Sequence, residues 1–201
     1  MMALIFFDRQ HAGKPGSKVG DRGAQADLDG DGKVESHERE AMLTPRYLLY
    51  AEERLLDLGH DVITLSDGWY SERHNRVNRY SGLASGKQVY VAAHLNAGGG
   101  NYGAVFYDHR SVSGPRLARD IALKLKSACP EIEGGVKVIP AKPDDWTSHA
   151  FNTIRNVHSP VSVCFEPCFV DNDIHHVLLT DDGLSKIGRA LADGIHSWLG
   201  Q

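Results

Sequence analysis

Cysteine is scarce: Cys129, Cys164 and Cys168 are the only three in 201 residues. Three are too few for a disulfide framework, and the odd number leaves at least one thiol unpaired. Cys164 alternates with Val161, Val163 and Phe165, so it reads as a small apolar packing residue rather than a zinc ligand. Long apolar runs are missing too. None approaches the roughly 20 residues of a membrane-spanning helix. Basic runs and aromatic-basic interleaving are absent, and 22 Lys and Arg against 26 Asp and Glu give a net charge of −4. That balance offers no positive footprint for phosphates, which argues against a nucleic-acid partner. The opening MMALIFFDRQ lacks a basic start before its short apolar run and reads as a first strand, not a signal peptide. Synthesis in the cytoplasm is therefore expected. With no linker, repeat or low-complexity segment and 41% hydrophobic residues, the expectation is one domain over residues 1–201, acting as a monomer.

Periodicity predicts alternating strands and helices. Strands are expected at Ala3 to Asp8, Asp61 to Leu65, Lys87 to Ala93, Ala104 to Tyr107, Val136 to Ile139 and Val161 to Phe165. Pro45 to Leu58 reads as an amphipathic helix stopped at Gly59, Ser71 to Ser81 as a polar helix capped by Ser71, and Pro115 to Cys129 and Leu184 to Leu199 as two more. This alternation predicts an α/β fold, a three-layer αβα architecture of phosphorylase/hydrolase type around a mostly parallel sheet.

Against that frame, His11, Glu40, His94 and Glu166 form a dispersed set of metal-ligand residue types, three of them directly after short apolar runs. Open α/β sheets place their sites at the C-terminal ends of strands. Two imidazoles and one carboxylate make an open zinc site, and a further carboxylate can take a proton from water. The set points to a zinc hydrolase acting on an amide or ester. Asp8 is expected to accept a hydrogen bond from His11 and fix its tautomer. Asn96 either orients substrate or caps its loop, and His149 and Arg155 either line the cleft or lie on a helix surface. His37, His60, His74, His109, His175, His176 and His196 occur in polar segments and read as solvated. Gly98 to Gly103 and Lys142 to Trp146 are candidate lid segments.

A second motif spans residues 27–38. Asp27, Asp29 and Asp31 stand at positions one, three and five of an EF-hand calcium loop, Gly32 at the sharp turn, Lys33 at the carbonyl position and Glu38 at the bidentate position twelve. Val34 is the apolar residue expected to pin it. The preceding Lys14 to Ala26 stretch, rich in Gly and carrying Pro15, is a poor entering helix, so a calcium loop inserted in a catalytic domain is expected rather than a sensor module.

Four segments in order resemble the zinc-dependent N-acetylmuramoyl-L-alanine amidases, peptidoglycan hydrolases that include phage endolysins: FFDRQHAGKPGSKVG, the helix from the Glu to LLDLGHDVITL, VAAHLNAGG and PVSVCFEPCFVDN. Ala12 and Lys14-Pro15-Gly16 depart from the family's usual opening, and Pro167-Cys168 from the usual pair after the last Glu. The resemblance implies Zn2+ on His11, Glu40 and His94, Glu166 as catalytic base, and peptidoglycan as substrate, cut between N-acetylmuramic acid and L-alanine; Ca2+ on Asp27, Asp29, Asp31, Lys33 and Glu38 is expected from the loop spacing instead. It implies action on the wall after release in phage lysis, or on wall fragments inside the cell. Counting back from Gly59 along the shared helix places the zinc glutamate at Glu40, with Glu38 the alternative if Thr44-Pro45 starts the helix. Residues two apart on a helix point to opposite sides, so one carboxylate goes to each ion. A zinc metallopeptidase or carboxypeptidase could use the same four residues, and a non-catalytic calcium-dependent wall-binding protein is the reading from a different class.

Overall fold

The structure is a computed structural model that describes residues 2–11, 23–142, 152–158 and 160–201. His149, most of the Lys14 to Ala26 stretch and residues 143–146 of the second lid segment lie outside them. Six strands, β1 (Leu4–Arg9), β2 (Asp61–Leu65), β3 (Gln88–Ala93), β4 (Gly103–Asp108), β5 (Val136–Ala141) and β6 (Val161–Glu166), form one sheet in the order β2-β1-β3-β6-β4-β5. All neighbours pair in parallel except β4 with β6. The helices are α1 (Glu40–Asp57), α2 (Tyr70–Ser81), α3 (Gly114–Ala128), α4 (Asn152–Arg155) and α5 (Asp181–Leu199), with 3-10 turns at Ser36–Glu38 and Asp173–Leu179. This is the mostly parallel α/β sandwich expected from the pattern.

The central strands are apolar throughout because both faces of the sheet are covered. Ile5, Phe7, Val89, Val91, Val163 and Phe165 point into the larger core with α1, α3 and α5, while the alternating Phe6, Tyr90, Ala92 and Cys164 point into a smaller core with Val77 of α2 and Ile154 of α4. All three cysteines are buried, as packing residues. On α3, Leu117, Ile121 and Leu125 recur at helical spacing and are fully buried. Close helix contacts require two glycines: a Cβ on Gly188 of α5 would stand 2.2 Å from the Tyr47 carbonyl of α1, and one on Gly194 would stand 2.5 Å from Cα of Ile121 on α3. No helix among the described residues is long and apolar enough to cross a membrane.

Two helix starts differ from expectation. α1 begins at Glu40, five residues before Pro45. The proline cannot donate to the Ala41 carbonyl one turn back, and Nη2 of Arg9 stands 3.4 Å from that oxygen. α2 begins at Tyr70, where Glu72 rather than Ser71 serves the terminus, its Oε2 accepting the Trp69 N–H at 2.6 Å.

Candidate metal centre and cleft

Strand register assembles the site. Arg9 pairs with Ala93 and Ala93 with Phe165, so His11, His94 and Glu166 emerge together at the C-terminal ends of β1, β3 and β6. The His94 N–H donates to the Phe165 carbonyl at 3.0 Å, locking the two neighbouring strand ends. His11 leaves β1 with φ 59°, a left-handed conformation unusual for a residue with a side chain and of the kind that concentrates at functional sites.

Glu40, at the first turn of α1, reaches between the two imidazoles. Its Oε1 lies 2.9 Å from Nδ1 of His94 and its Oε2 lies 3.6 Å from Nε2 of His11. One donor atom from each of His11, Glu40 and His94 falls within 4.8 Å of the others. Backbone N–H groups hold the carboxylate: Leu95 donates to Oε1 at 2.9 Å and Ala24 to Oε2 at 2.7 Å. The Glu40 N–H in turn donates to the Ala24 carbonyl at 2.8 Å, and Gln25 bridges Arg39 beside it. Gly23 must lack a side chain here, since a Cβ would stand 2.2 Å from Glu40 Oε2.

Electrostatics follow from burial and proximity. Burial pushes the Glu40 carboxyl up, but the hydrogen bond and charge of His94 and the charge of His11 outweigh it and hold Glu40 below its ordinary range. Burial alone would depress His94; the bond and charge of Glu40 reverse that and raise it. A proton shared in this way competes with a cation for the same atoms. Glu166 is raised, chiefly by burial and further by the charge of Glu40, against the opposing effect of His94.

These groups line one side of a cleft of about 600 Å³. The rest of its described wall is Gln10, Leu95, Trp69, Tyr70, Ser71 and His74, with Asn152, Thr153 and Asn156 from the α4 region. No Lys or Arg is among these described residues, so the imidazoles are the only basic groups there facing the two carboxylates. The donor set fits a divalent cation held by His11, Glu40 and His94.

Several neighbours differ from expectation. Asp8 does not orient His11: its Oδ1 accepts from Arg73 Nε and its Oδ2 from the Tyr90 hydroxyl, both at 2.6 Å. Asn96 caps its loop, its Oδ1 accepting the Ala97 N–H. The Gly98 and Gly99 N–H groups donate to Asp171, and Gly100 gives its carbonyl to Asn172, so this candidate lid is tied to the segment after β6. Arg155 lines a separate surface hollow with Asp108 and Arg110. Three histidines that read as solvated are buried: His60 pairs with His196 at 2.9 Å, His175 Nδ1 accepts the Phe169 N–H, and His74 lies in the cleft wall. Gln10, Trp69 and Tyr70 of that wall carried no sequence signal, since only the folded chain brings the end of β1 to α2.

The 27–38 loop leads directly into the start of α1. Asp27 accepts from the N–H groups of Gly30 and Gly32, Asp29 from Asp31, and Asp31 from Lys33. Gly32 takes the turn with φ 87°. Glu38 is fully buried; Leu28 and Glu35 donate to its two oxygens at 2.7 Å and hold its carboxyl below the ordinary range. Donor atoms of Asp27, Asp29 and Glu38 group within 4.8 Å, as do those of Asp29, Asp31 and Glu35. Leu28, rather than Val34, packs on the main core. Glu38 is thereby committed to the loop and Glu40 to the histidines.

No family profile matches the sequence, and no curated protein does. Solved structures match along the whole chain. The N-acetylmuramoyl-L-alanine amidase AmiC2 of Nostoc punctiforme superposes with a TM-score of 0.74 at 17% identity, covering 98% of this chain and 97% of its own. The catalytic domain of the CD27L endolysin targeting Clostridia difficile gives 0.63 at 18%, covering 98% of each. Cwp6 from Clostridium difficile gives 0.72 at 16% over 98% of this chain, which spans 29% of Cwp6. The protein therefore has the fold of these amidase and endolysin structures.

Proposed function

We propose that this protein is a zinc-dependent N-acetylmuramoyl-L-alanine amidase that degrades peptidoglycan. The observation that carries the reading is the convergence of His11, Glu40 and His94 beside Glu166 at the strand ends of a fold shared with solved amidases. Zinc held by the first three residues would supply Lewis acidity for the scissile carbonyl and for attacking water. Glu166 takes the water proton as the new C–O bond forms, holds it, and returns it to the alanine nitrogen as the C–N bond breaks. Its enclosure at the end of β6, which raises its affinity for that proton, suits it to both transfers. The products are a lactyl carboxylate on the glycan and a new alanine amino terminus.

Digestion of purified peptidoglycan followed by amino-terminal analysis tests the reaction. Free alanine amino groups on stems released from intact glycan strands are expected. New termini within the stem would instead assign a peptidase, and binding to the wall with no released fragments would assign a binding protein.

The 27–38 loop belongs to the same proposal as a calcium site with a structural role, ligated by Asp27, Asp29, Asp31, Glu38 and the Lys33 carbonyl. Support comes from the spacing of its carboxylates and from the ladder joining residues 24–25 to residues 39–40, through which an ordered loop would fix Glu40. Calorimetric titration of zinc-loaded protein is expected to give one calcium per chain, lost when Asp29 and Asp31 are replaced by Ala. Chelating calcium alone should lower zinc occupancy. Unchanged zinc content and activity in a calcium-free sample would refute the coupling.

A further inference from the structure

Gln10 immediately precedes His11 and is 1% exposed, yet neither its amide oxygen nor its amide nitrogen has a hydrogen-bond partner among the described residues. His74 of α2 is 5% exposed, and its Nε2 is likewise without a partner among them. Its ring meets Tyr90 edge-on, with 6.4 Å between centroids. Both residues line the cleft that contains His11, His94 and Glu166. Buried polar groups are normally satisfied, and an orphaned carboxamide costs stability that an apolar side chain of similar size would not. Two such groups on the wall of one cleft mark a place for a polar group of the substrate.

We infer that Gln10 and His74 form a subsite that recognises an uncharged secondary amide of the substrate. The assignment rests on the amidase reading. A carboxamide presents one acceptor and one donor side by side, the complement of a secondary amide's N–H and C=O. His74 adds a third polar contact, and burial lowers its pKa, which disfavours a positive charge there. An anionic ligand group would meet no Lys or Arg among the described lining residues. Peptidoglycan offers the required chemistry in two places, the acetamido group of its amino sugars and the amides of its stem peptide.

Gln10→Leu, which nearly conserves volume, and His74→Phe, which keeps the ring against Tyr90, test the subsite on muramoyl-peptide substrates. The expected result is a KM raised about tenfold with kcat changed less than about twofold, equal zinc content, and a melting temperature unchanged or higher. Replacing the acetamido group by hydroxyl, or the first stem amide beyond alanine by an ester, identifies the source. Whichever change raises the wild-type KM equally and leaves Gln10→Leu unaffected marks the group read. A KM unchanged by both substitutions overturns the inference. If Gln10→Leu loses zinc, His74→Phe and a binding measurement decide. In that measurement, N-methylacetamide added to 15N-labelled, zinc-loaded protein should shift the Gln10 side-chain amide and His74 ring signals saturably, whereas acetate should not. Absent shifts, or equal shifts with acetate, overturn the subsite. Wild-type protein that cleaves none of the substrates fails the amidase reading instead, and the same titration still judges the subsite.

Discussion

Replacing Glu166 by Gln is expected to lower kcat by about 10²- to 10⁴-fold while zinc content and melting temperature stay near those of the wild type. Glutamine matches the size of the glutamate, and among the described residues its side chain accepts only the weak Cys164 Sγ approach at 3.9 Å. The three zinc candidates His11, Glu40 and His94 form their own cluster, so metal binding should survive. What the amide cannot do is accept a proton from water. The pH profile carries an independent signature. A base must be ionised to act, so activity is present above its pKa and lost as pH falls through it. Burial raises Glu166 above the ordinary 4.5, which moves the acid limb of kcat/KM upward, although a cation on the neighbouring residues opposes the shift. A Glu166→Gln protein with normal turnover would remove Glu166 from the mechanism.

Arg73→Leu should be the most damaging change to stability, costing about 3–5 kcal/mol in urea or thermal unfolding. The Arg73 and Asp8 side chains are 3% and 0% exposed, and their 2.6 Å contact neutralises a buried carboxylate three residues before His11. Removing the guanidinium leaves Asp8 buried with the Tyr90 hydroxyl as its one side-chain partner among the described residues. The double variant Asp8→Leu/Arg73→Leu should recover much of the loss, because it removes the buried charge as well. Asp8 lies in β1 three residues before His11, so the single variant should also weaken zinc retention. A single variant within about 1 kcal/mol of wild type, or a double variant less stable than either single one, would contradict this account.

Sequence was most informative where the signal was local. The central strands were legible because both faces of the sheet are buried there, which leaves short unbroken apolar runs such as Val89 to Ala93. The helices α3 and α5 were legible from their apolar stripes. The four residues grouped at the strand ends could be named because each followed such a run or belonged to an ordered motif. Polar burial was not legible. Arg73 and His74 made α2 look like a solvated helix, yet they are buried because Asp8 and Tyr90 arrive from β1 and β3. Likewise, His175 is buried through a bond to the backbone six residues away, and Asp8 is claimed by Arg73 before it can serve His11. Pro45 obscured the start of α1 because nothing local reveals that Arg9 reaches the carbonyl the proline leaves without its donor.

The most direct measurement is turnover of purified peptidoglycan by metal-stripped protein to which zinc alone, calcium alone or both are restored, with new alanine amino termini counted and bound metal determined in the same samples. The account predicts no cleavage with calcium alone, cleavage with zinc, and higher zinc occupancy and rate with both. Cleavage that persists without zinc, or its absence in protein fully loaded with both ions, would contradict the central claim.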